Sequence, residues 1–251
     1  MNQILNVEHL HFSFDAHPIL SDVSFTVQSG SLMILSGRNG SGKSVLLRCL
    51  KGLYPIHRGT ITLGNNDVSR KPALRNQRIA LVFQDADTQV VGQTVQKDIL
   101  FGLENLGVDT AEQQRRLAET VQLLHLQDLL HHRPRTLSGG ERRRLAIAGV
   151  LVMKPEILLL DEPFANLDYP GIVSVLEALI ALHQGGATIV IATHEIEKIL
   201  AHATDLVVLD QGSIVLSGNP SQVIEGVSQY GIRRPMYHNR PIAVEELTWL
   251  K

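Results

Sequence analysis

Apolar residues in this chain fall into short blocks whose period changes twice along its length. In the first third they alternate, as in residues 24–27 (Ser-Phe-Thr-Val) and 60–63 (Thr-Ile-Thr-Leu), with turn residues between. That period of two predicts strands with one buried face. Residues 31–35 form a short apolar strand that runs into a glycine-rich stretch, and a helix is expected from Lys43 to Gly52. Residues 79–83 read as another buried strand. From about Val95 to Val152 the period becomes helical; in residues 113–130, Leu117, Val121 and Leu124 recur with charges between them. The rest alternates: strand 157–160, helix 172–183, strand 188–192, helix 196–203, strand 206–209. Strands separated by helices imply an α/β fold, a mostly parallel sheet with helices on its faces. The helical stretch would form a second lobe.

After Asn219-Pro220 one short helix is expected, with proline suited to its first turn, then a less regular end to Lys251. Ala243, Leu247 and Leu250 could form a small apolar face, which either meets a partner or packs on its own domain.

Composition narrows the picture. With 251 residues, 44% of them hydrophobic, the chain can bury one large domain or a domain with a lobe. A net charge of -2 lacks the basic footprint of a nucleic-acid binder. The clusters Arg133, Arg135 and Arg142 to Arg144 read as solvated helix faces. Cys49 stands alone among Val45, Leu46, Leu47 and Leu50, so it is expected to be a buried apolar side chain in a reducing compartment. No apolar stretch approaches the roughly 20 residues of a membrane helix. Met1-Asn2-Gln3-Ile4 lacks signal-peptide character. The expectation is a cytoplasmic protein that reaches a membrane only through a partner.

The candidate chemistry lies at the punctuation between blocks. Gly37-Arg38-Asn39-Gly40-Ser41-Gly42-Lys43-Ser44 fits G-x-x-x-x-G-K-S/T between a strand and a helix. Its glycines would let backbone N–H groups curl around phosphates, aided by the helix N-terminus. Lys43 would reach the outer phosphates of ATP, and Ser44 would ligate Mg²⁺. Asp161 ends an apolar strand, where a carboxylate needs a cation to face; it is expected to hold the Mg²⁺ shell. Glu162, next in sequence, is placed to act on an attacking water. Ser138-Gly139-Gly140-Glu141 reads two ways at once. It is a capping box for the helix of Leu145, Ile147 and Leu151, and its glycine pair would let N–H groups approach a phosphate.

Together with Gln84 and Thr193-His194, these segments stand in the order of the ATP-binding-cassette (ABC) ATPases, which the chain resembles from about Leu5 to about Pro220. The resemblance implies a P-loop NTPase fold: a RecA-like, mostly parallel sheet with an antiparallel β subdomain, plus an inserted α-helical subdomain at about residues 87–152. It also implies an ATPase domain over residues 1–220, with 221–251 as a short C-terminal extension. It assigns His194 to the γ-phosphate and Gln84 to Mg²⁺ and the attacking water. Phe14 would stack on adenine, unless it is a core aromatic. Asp168 belongs to the loop linking two nucleotide sites. By the same resemblance residues 138–140 act on the ATP of a second ABC chain, in a homodimer or a paralogous heterodimer. Residues 81–102, with residues 146–150, resemble the ATPases of energy-coupling-factor (ECF) transporters, which import vitamins, cobalt or nickel. There the segment after Gln84 forms a groove for coupling helices of a membrane scaffold, and another membrane subunit binds the substrate. Another transporter's ATPase and a soluble iron–sulfur-assembly ATPase are the alternative readings.

Overall fold

The computed structural model describes residues 3–15, 17–237, 240–247 and 249–250. Met1, Asn2 and Lys251, which the sequence reading invoked at the two ends, lie outside the described residues.

Two sheets share the molecule. In the first, β1 (Gln3–Phe14), β2 (His17–Gln28), β4 (Arg58–Leu63) and β5 (Asn66–Asp67) are antiparallel in the order β2-β1-β4-β5. The second sheet has the order β10-β9-β3-β8-β7-β6. Its members are β3 (Leu32–Ser36), β6 (Ile79–Val82), β7 (Ile157–Asp161), β8 (Thr188–Ala192), β9 (Asp205–Asp210) and β10 (Ser213–Gly218). All its pairings are parallel except that of the edge strand β10. The antiparallel sheet, the mostly parallel sheet and the helices on its face make up the α/β architecture the hydrophobic pattern predicts.

Every residue of β3, β6, β7 and β8 is buried. Alternation then divides their side chains between two cores. Leu32 and Ile34 of β3 and Leu158 and Leu160 of β7 face the helices. Met33 and Leu35, and Ile157 and Leu159, face α1 (Lys43–Lys51) and the antiparallel sheet. In β1 and β2 the inward period slips by one residue. Leu5 and Val7 give way to Leu10 and Phe12, with a register shift in between and His9 in a left-handed conformation. Such a bulge re-aims the strand so that both halves still face the core.

Helix α2 (Pro72–Arg78) leads into β6. Between β6 and β7 the chain runs through α3 (Val95–Asn105), α4 (Thr110–Leu123) and α5 (Gly139–Leu151). Helix α4 is shorter than the expected 113–130. His125 takes a left-handed φ of 50° just past its end, and a 3-10 turn, Gln127–Leu129, carries the pattern on. Helix α6 (Tyr169–Gln184) covers the expected 172–183. The expected helix 196–203 is instead two 3-10 turns, Ile196–Lys198 and Leu200–His202. Over so few turns an apolar spacing of three fits either helix type.

Helix α7 (Pro220–Val223) is the expected short helix, and β11 (Met236–Tyr237) and β12 (Arg240–Pro241) form a small hairpin. Of the apolar face expected near the C-terminus, Leu247 is buried in the helix-side core and Leu250 packs against it; Ala243 is exposed. The face packs on its own domain.

Candidate functional site

The strand order β3-β8-β7-β6 sets four strand ends in a row, and each carries one candidate segment. Crevices beyond the C-terminal ends of parallel strands are where open α/β sheets bind ligands. Backbone bonds carry the ladder past the strands: Glu162 N donates to Ala192 O at 2.8 Å, and Thr193 N to Leu35 O at 3.1 Å.

The glycine loop follows β3. A side chain at Gly37 would lie 2.2 Å from the Leu209 carbonyl oxygen, so β9 leaves room for none. Gly42, at φ 106°, turns the chain into α1. That helix is anchored by Leu46, Leu47, Cys49 and Leu50, all fully buried. Burial pushes the Cys49 thiol up to about 12, so it stays protonated and inert. Lys43 is only 6% exposed. Its Nζ donates to the loop's own carbonyls, Gly37 at 2.7 Å and Arg38 at 3.2 Å. Burial lowers its pKa, while Glu162 and Asp161 oppose the shift. The Ser41 hydroxyl is buried without a partner. The Arg38 side chain leans toward Gly231 in the C-terminal segment, with its Cδ 2.8 Å from where a Gly231 side chain would begin.

At the end of β7, Asp161 Oδ1 accepts from Ser44 Oγ at 3.0 Å. Burial raises the Asp161 pKa, and the Ser44 hydrogen bond works against it. Glu162 sits at φ 46°, a conformation that costs a non-glycine residue about 1–3 kcal/mol and persists only where its surroundings hold it. Here they do. Glu162 Oε2 accepts from Thr193 Oγ1 at 3.0 Å, and Oε1 meets His194 Nδ1 at 2.8 Å and Lys43 Nζ at 3.8 Å. A carboxylate can only accept, so Nδ1 carries the proton and Nε2 remains available to another group.

These side chains surround one cavity of about 500 Å³, lined by Asn39, Gly40, Gly42, Lys43, Ser44, Gln84, Glu162 and His194, with Ile19 and Val45. The structure thus brings together the glycine loop, Gln84, Glu162 and His194. Phe14 is outside this lining. Its ring is 45% exposed and packs edge-on against Phe12 and Tyr54, with centroids 4.9 and 5.4 Å away.

Ser44, Asp161 and Gln84 offer hydroxyl, carboxylate and amide oxygens, the hard donors Mg²⁺ prefers beside phosphate. A buried carboxylate already hydrogen-bonded to Ser44 fits a cation at that point. Among the described residues no group of three or more His, Cys, Asp or Glu is placed to hold a metal without such help.

Residues 138–140 do not line the Lys43 cavity. Ser138 caps α5: Glu141 N donates to Ser138 Oγ at 3.3 Å and Ser138 N to Glu141 Oε2 at 2.7 Å. Gly139 lines a separate cavity of about 280 Å³ with Gln84, Arg143 and Asn166. Gly140 packs against Gly171 of α6. Asp168 caps α6, accepting from Gly171 N at 3.0 Å.

Sequence reasoning took Arg143 for part of a solvated helix face and missed Gln89, and both hold the turn at Gln84. Arg143 is buried and donates to Phe83 O at 2.8 Å and Gln84 O at 2.7 Å. Gln89 spans the same turn, accepting from Phe83 N at 3.1 Å and donating to Leu81 O at 3.2 Å. A charge amid the apolar positions of α5 was the available signal for Arg143; Gln89 had none. A larger cavity, about 950 Å³, is elsewhere. Val90, Val91, Gly92, Arg133, Arg135 and Arg142 line it, and Arg142 Nε pairs with Asp87 Oδ1 at 3.0 Å.

Known proteins resemble the chain over nearly its whole length. Residues 20–165 match the ABC transporter family. The chain is 33% identical to the energy-coupling factor transporter ATP-binding protein EcfA1 of Enterococcus faecalis, over 98% of the chain and 91% of that relative. It is 36% identical to the energy-coupling factor transporter ATP-binding protein EcfA of Carboxydothermus hydrogenoformans, over 94% and 89%. Among solved structures, cbiO1 of Clostridium perfringens, part of the ABC transporter complex cbiONQ, superposes with a TM-score of 0.84. That match has 32% identity over 91% of the chain and 93% of cbiO1. A nucleotide-free ATP-binding cassette from an ABC transporter, at 24% identity and a TM-score of 0.81 over 90% and 95%, shares the fold.

Proposed function

The chain belongs to the ABC transporter ATPases, among the ATP-binding proteins of energy-coupling factor transporters, and from that premise we propose that it powers import of a micronutrient, a vitamin or transition-metal ion, by ATP-driven pairing with a second ABC chain. One observation carries the mechanism: Lys43, Ser44, Gln84, Glu162 and His194, drawn from four strand ends, surround one cavity.

Each side chain has a task in that cavity. The residue 37–44 loop receives the ATP phosphates through its N–H groups and the N-terminus of α1. The Lys43 ammonium exchanges the Gly37 and Arg38 carbonyls for phosphate oxygens. Ser44, Asp161 and Gln84 would hold Mg²⁺, which supplies charge neutralisation for the phosphates when bound. Glu162, clamped by Thr193 and His194, takes the proton of the attacking water as general base. His194 Nε2 contacts the γ-phosphate. Residues 138–140, already capped and outside the lining of their own Lys43 cavity, cover the ATP of the partner chain. Closure of the pair buries two ATP molecules, and hydrolysis reopens it.

The same turn carries the work outward. Gln84 lines the ATP cavity, and six and seven residues on, Val90 and Val91 line the large groove. In this reading the groove grips coupling helices of an integral membrane scaffold, which a membrane subunit that binds the cargo accompanies. Residues 1–220 form the ATPase domain with the helical insert at about 87–152, and 221–251 form a C-terminal extension. No helix among the described residues is long and apolar enough to cross a membrane. The chain then works at the cytoplasmic face through its partners.

The test is to tag the chain, solubilise membranes in mild detergent and identify what copurifies by mass spectrometry. A large membrane scaffold with a small substrate-binding membrane protein is expected. Recovery of soluble partners alone would overturn the reading.

A further inference from the structure

An unbroken run of contacts leads from Glu162 out of the cavity and ends in the C-terminal segment. Thr193 Oγ1 donates to Glu162 Oε2 at 3.0 Å and accepts from Glu195 N at 3.1 Å. Glu195 Oε2 accepts from Lys198 Nζ at 2.6 Å, across the 3-10 turn Ile196–Lys198 that follows His194. The Lys198 ammonium in turn lies over the ring of Trp249, 5.8 Å from its centroid. Lys198 is only 6% exposed. A charge so buried depends on the groups that face it. Glu195 gives it a charged acceptor, and Trp249 gives it an aromatic face.

Trp249 is seated on both sides. Its ring also meets that of Tyr169, with centroids 5.7 Å apart and planes tilted by 31°. Tyr169 opens α6, directly after the Asp168 cap. Just before Trp249, the 3-10 turn Val244–Glu246 packs against Leu200–His202, and Val244 and Leu247 are buried in the helix-side core. The ring therefore spans the start of α6 and the turn after His194, two segments that follow the neighbouring strands β7 and β8. It is outside the lining of the Lys43 cavity, so it can act on the site only through other residues.

We propose that Trp249 is a positioning residue for ATP hydrolysis: through Lys198, Glu195 and Thr193 it holds the Glu162 carboxylate in place for the attacking water. This rests on the reading of Glu162 as general base. Without the ring, water reaches the Lys198 ammonium and competes for it with Glu195. The turn after His194 loosens, and the Thr193 hydroxyl gains a freedom that Glu162 shares. A small misplacement of the base slows the chemical step. Binding of ATP, which the residue 37–44 loop carries out, stays as it was. The C-terminal extension thus serves the catalytic site of its own chain.

The test measures steady-state phosphate release by the full chain, with sites counted by a fluorescent ATP analogue so that unfolded protein does not enter kcat. Trp249→Ala is expected to lower kcat about three- to tenfold and to leave the KM for ATP within about twofold of the parent. Trp249→Phe keeps an aromatic face and should recover most of the loss. Lys198→Met should lower kcat by a similar factor. Combining it with Trp249→Ala should cost no more than the larger single loss, because both act along one path. A merely structural role would lower the unfolding midpoint and the number of sites, with kcat per site unchanged. If Trp249→Ala does not fold, Lys198→Met decides. Parental kcat per site, multiplied losses in the double variant, or a raised KM with kcat unchanged overturns the inference alone. Near-parental turnover by Glu162→Gln overturns the reading of the base and this inference with it.

Discussion

The ends of strands β3, β7 and β8 and the start of helix α5 both carry ABC motifs, yet they are organised in opposite ways. At the strand ends, polar groups are buried, charged and bonded to each other: Lys43 to loop carbonyls, Ser44 to Asp161, Glu162 to Thr193 and His194. At the start of α5 Ser138 and Glu141 satisfy each other in the cap of their own helix, and Gly140 is occupied with packing against α6. Buried charges need a partner in the folded chain or in a ligand, whereas a capped helix does not. One region is thus poised for a highly charged ligand. The other is a finished surface whose helix N-terminus still presents a favourable field to an anion supplied from outside. The contrast is what a composite site split between two chains requires.

The largest effect that would break this contrast is at Glu162. Glu162→Gln keeps the shape and both neighbours but removes the base. Turnover should fall about 10²–10⁴-fold, measured as steady-state phosphate release, with ATP affinity retained. Near-parental turnover would show that another group takes the proton, and the strand-end cluster would lose its catalytic reading.

A smaller effect should come from a side chain that ties the start of α5 to the turn after β6, whose Gln84 lines the same cavity as Glu162. Arg143 leaves the first part of α5 and donates to the carbonyls of Phe83 and Gln84. Arg143→Ala removes two part-buried hydrogen bonds from a charged donor to the turn at Phe83 and Gln84, worth about 1–3 kcal/mol of stability, which urea unfolding would measure. Because the turn it releases carries Gln84, ATPase activity should fall more than ATP binding does. An unfolding midpoint equal to the parent's would mean the two regions are held together by apolar packing alone.

How far the sequence disclosed this arrangement depended on the range of each interaction. The Ser138 and Glu141 cap was legible because it closes within three residues, and the strands were legible because burial on both faces leaves continuous apolar runs such as Ile157 to Leu160. Arg143 was not, because its acceptors are about 60 residues away along the chain. Nor was the left-handed Glu162, since the groups that hold its side chain, Thr193 and His194, follow another strand. Residues 196–203 were misread because Ile196, Ile199 and Leu200 bury the same side whether the turn is 3-10 or α. Gly140 was visible, but its lack of room follows only from its contact with Gly171 of α6.

The smallest expected effect concerns Phe14, whose sequence reading as an adenine platform and whose position in the structure pull apart. Its ring lies off the cavity lining, against Phe12 and Tyr54, and nearly half of it faces outward. An exposed face of that kind can still receive a flat ring, and one aromatic contact contributes about 0.5–1 kcal/mol. Phe14→Ala should therefore raise the KM for ATP by roughly two- to five-fold and leave kcat unchanged, because Phe14 is outside the cavity that Glu162 lines. The variant also removes one edge-on partner from Phe12 and Tyr54, and since the ring is half exposed the unfolding temperature should move little. The two readings thus separate on different axes. A higher KM with an unchanged midpoint makes Phe14 part of the strand-end region, whereas an unchanged KM with a lowered midpoint returns it to the core of the antiparallel sheet.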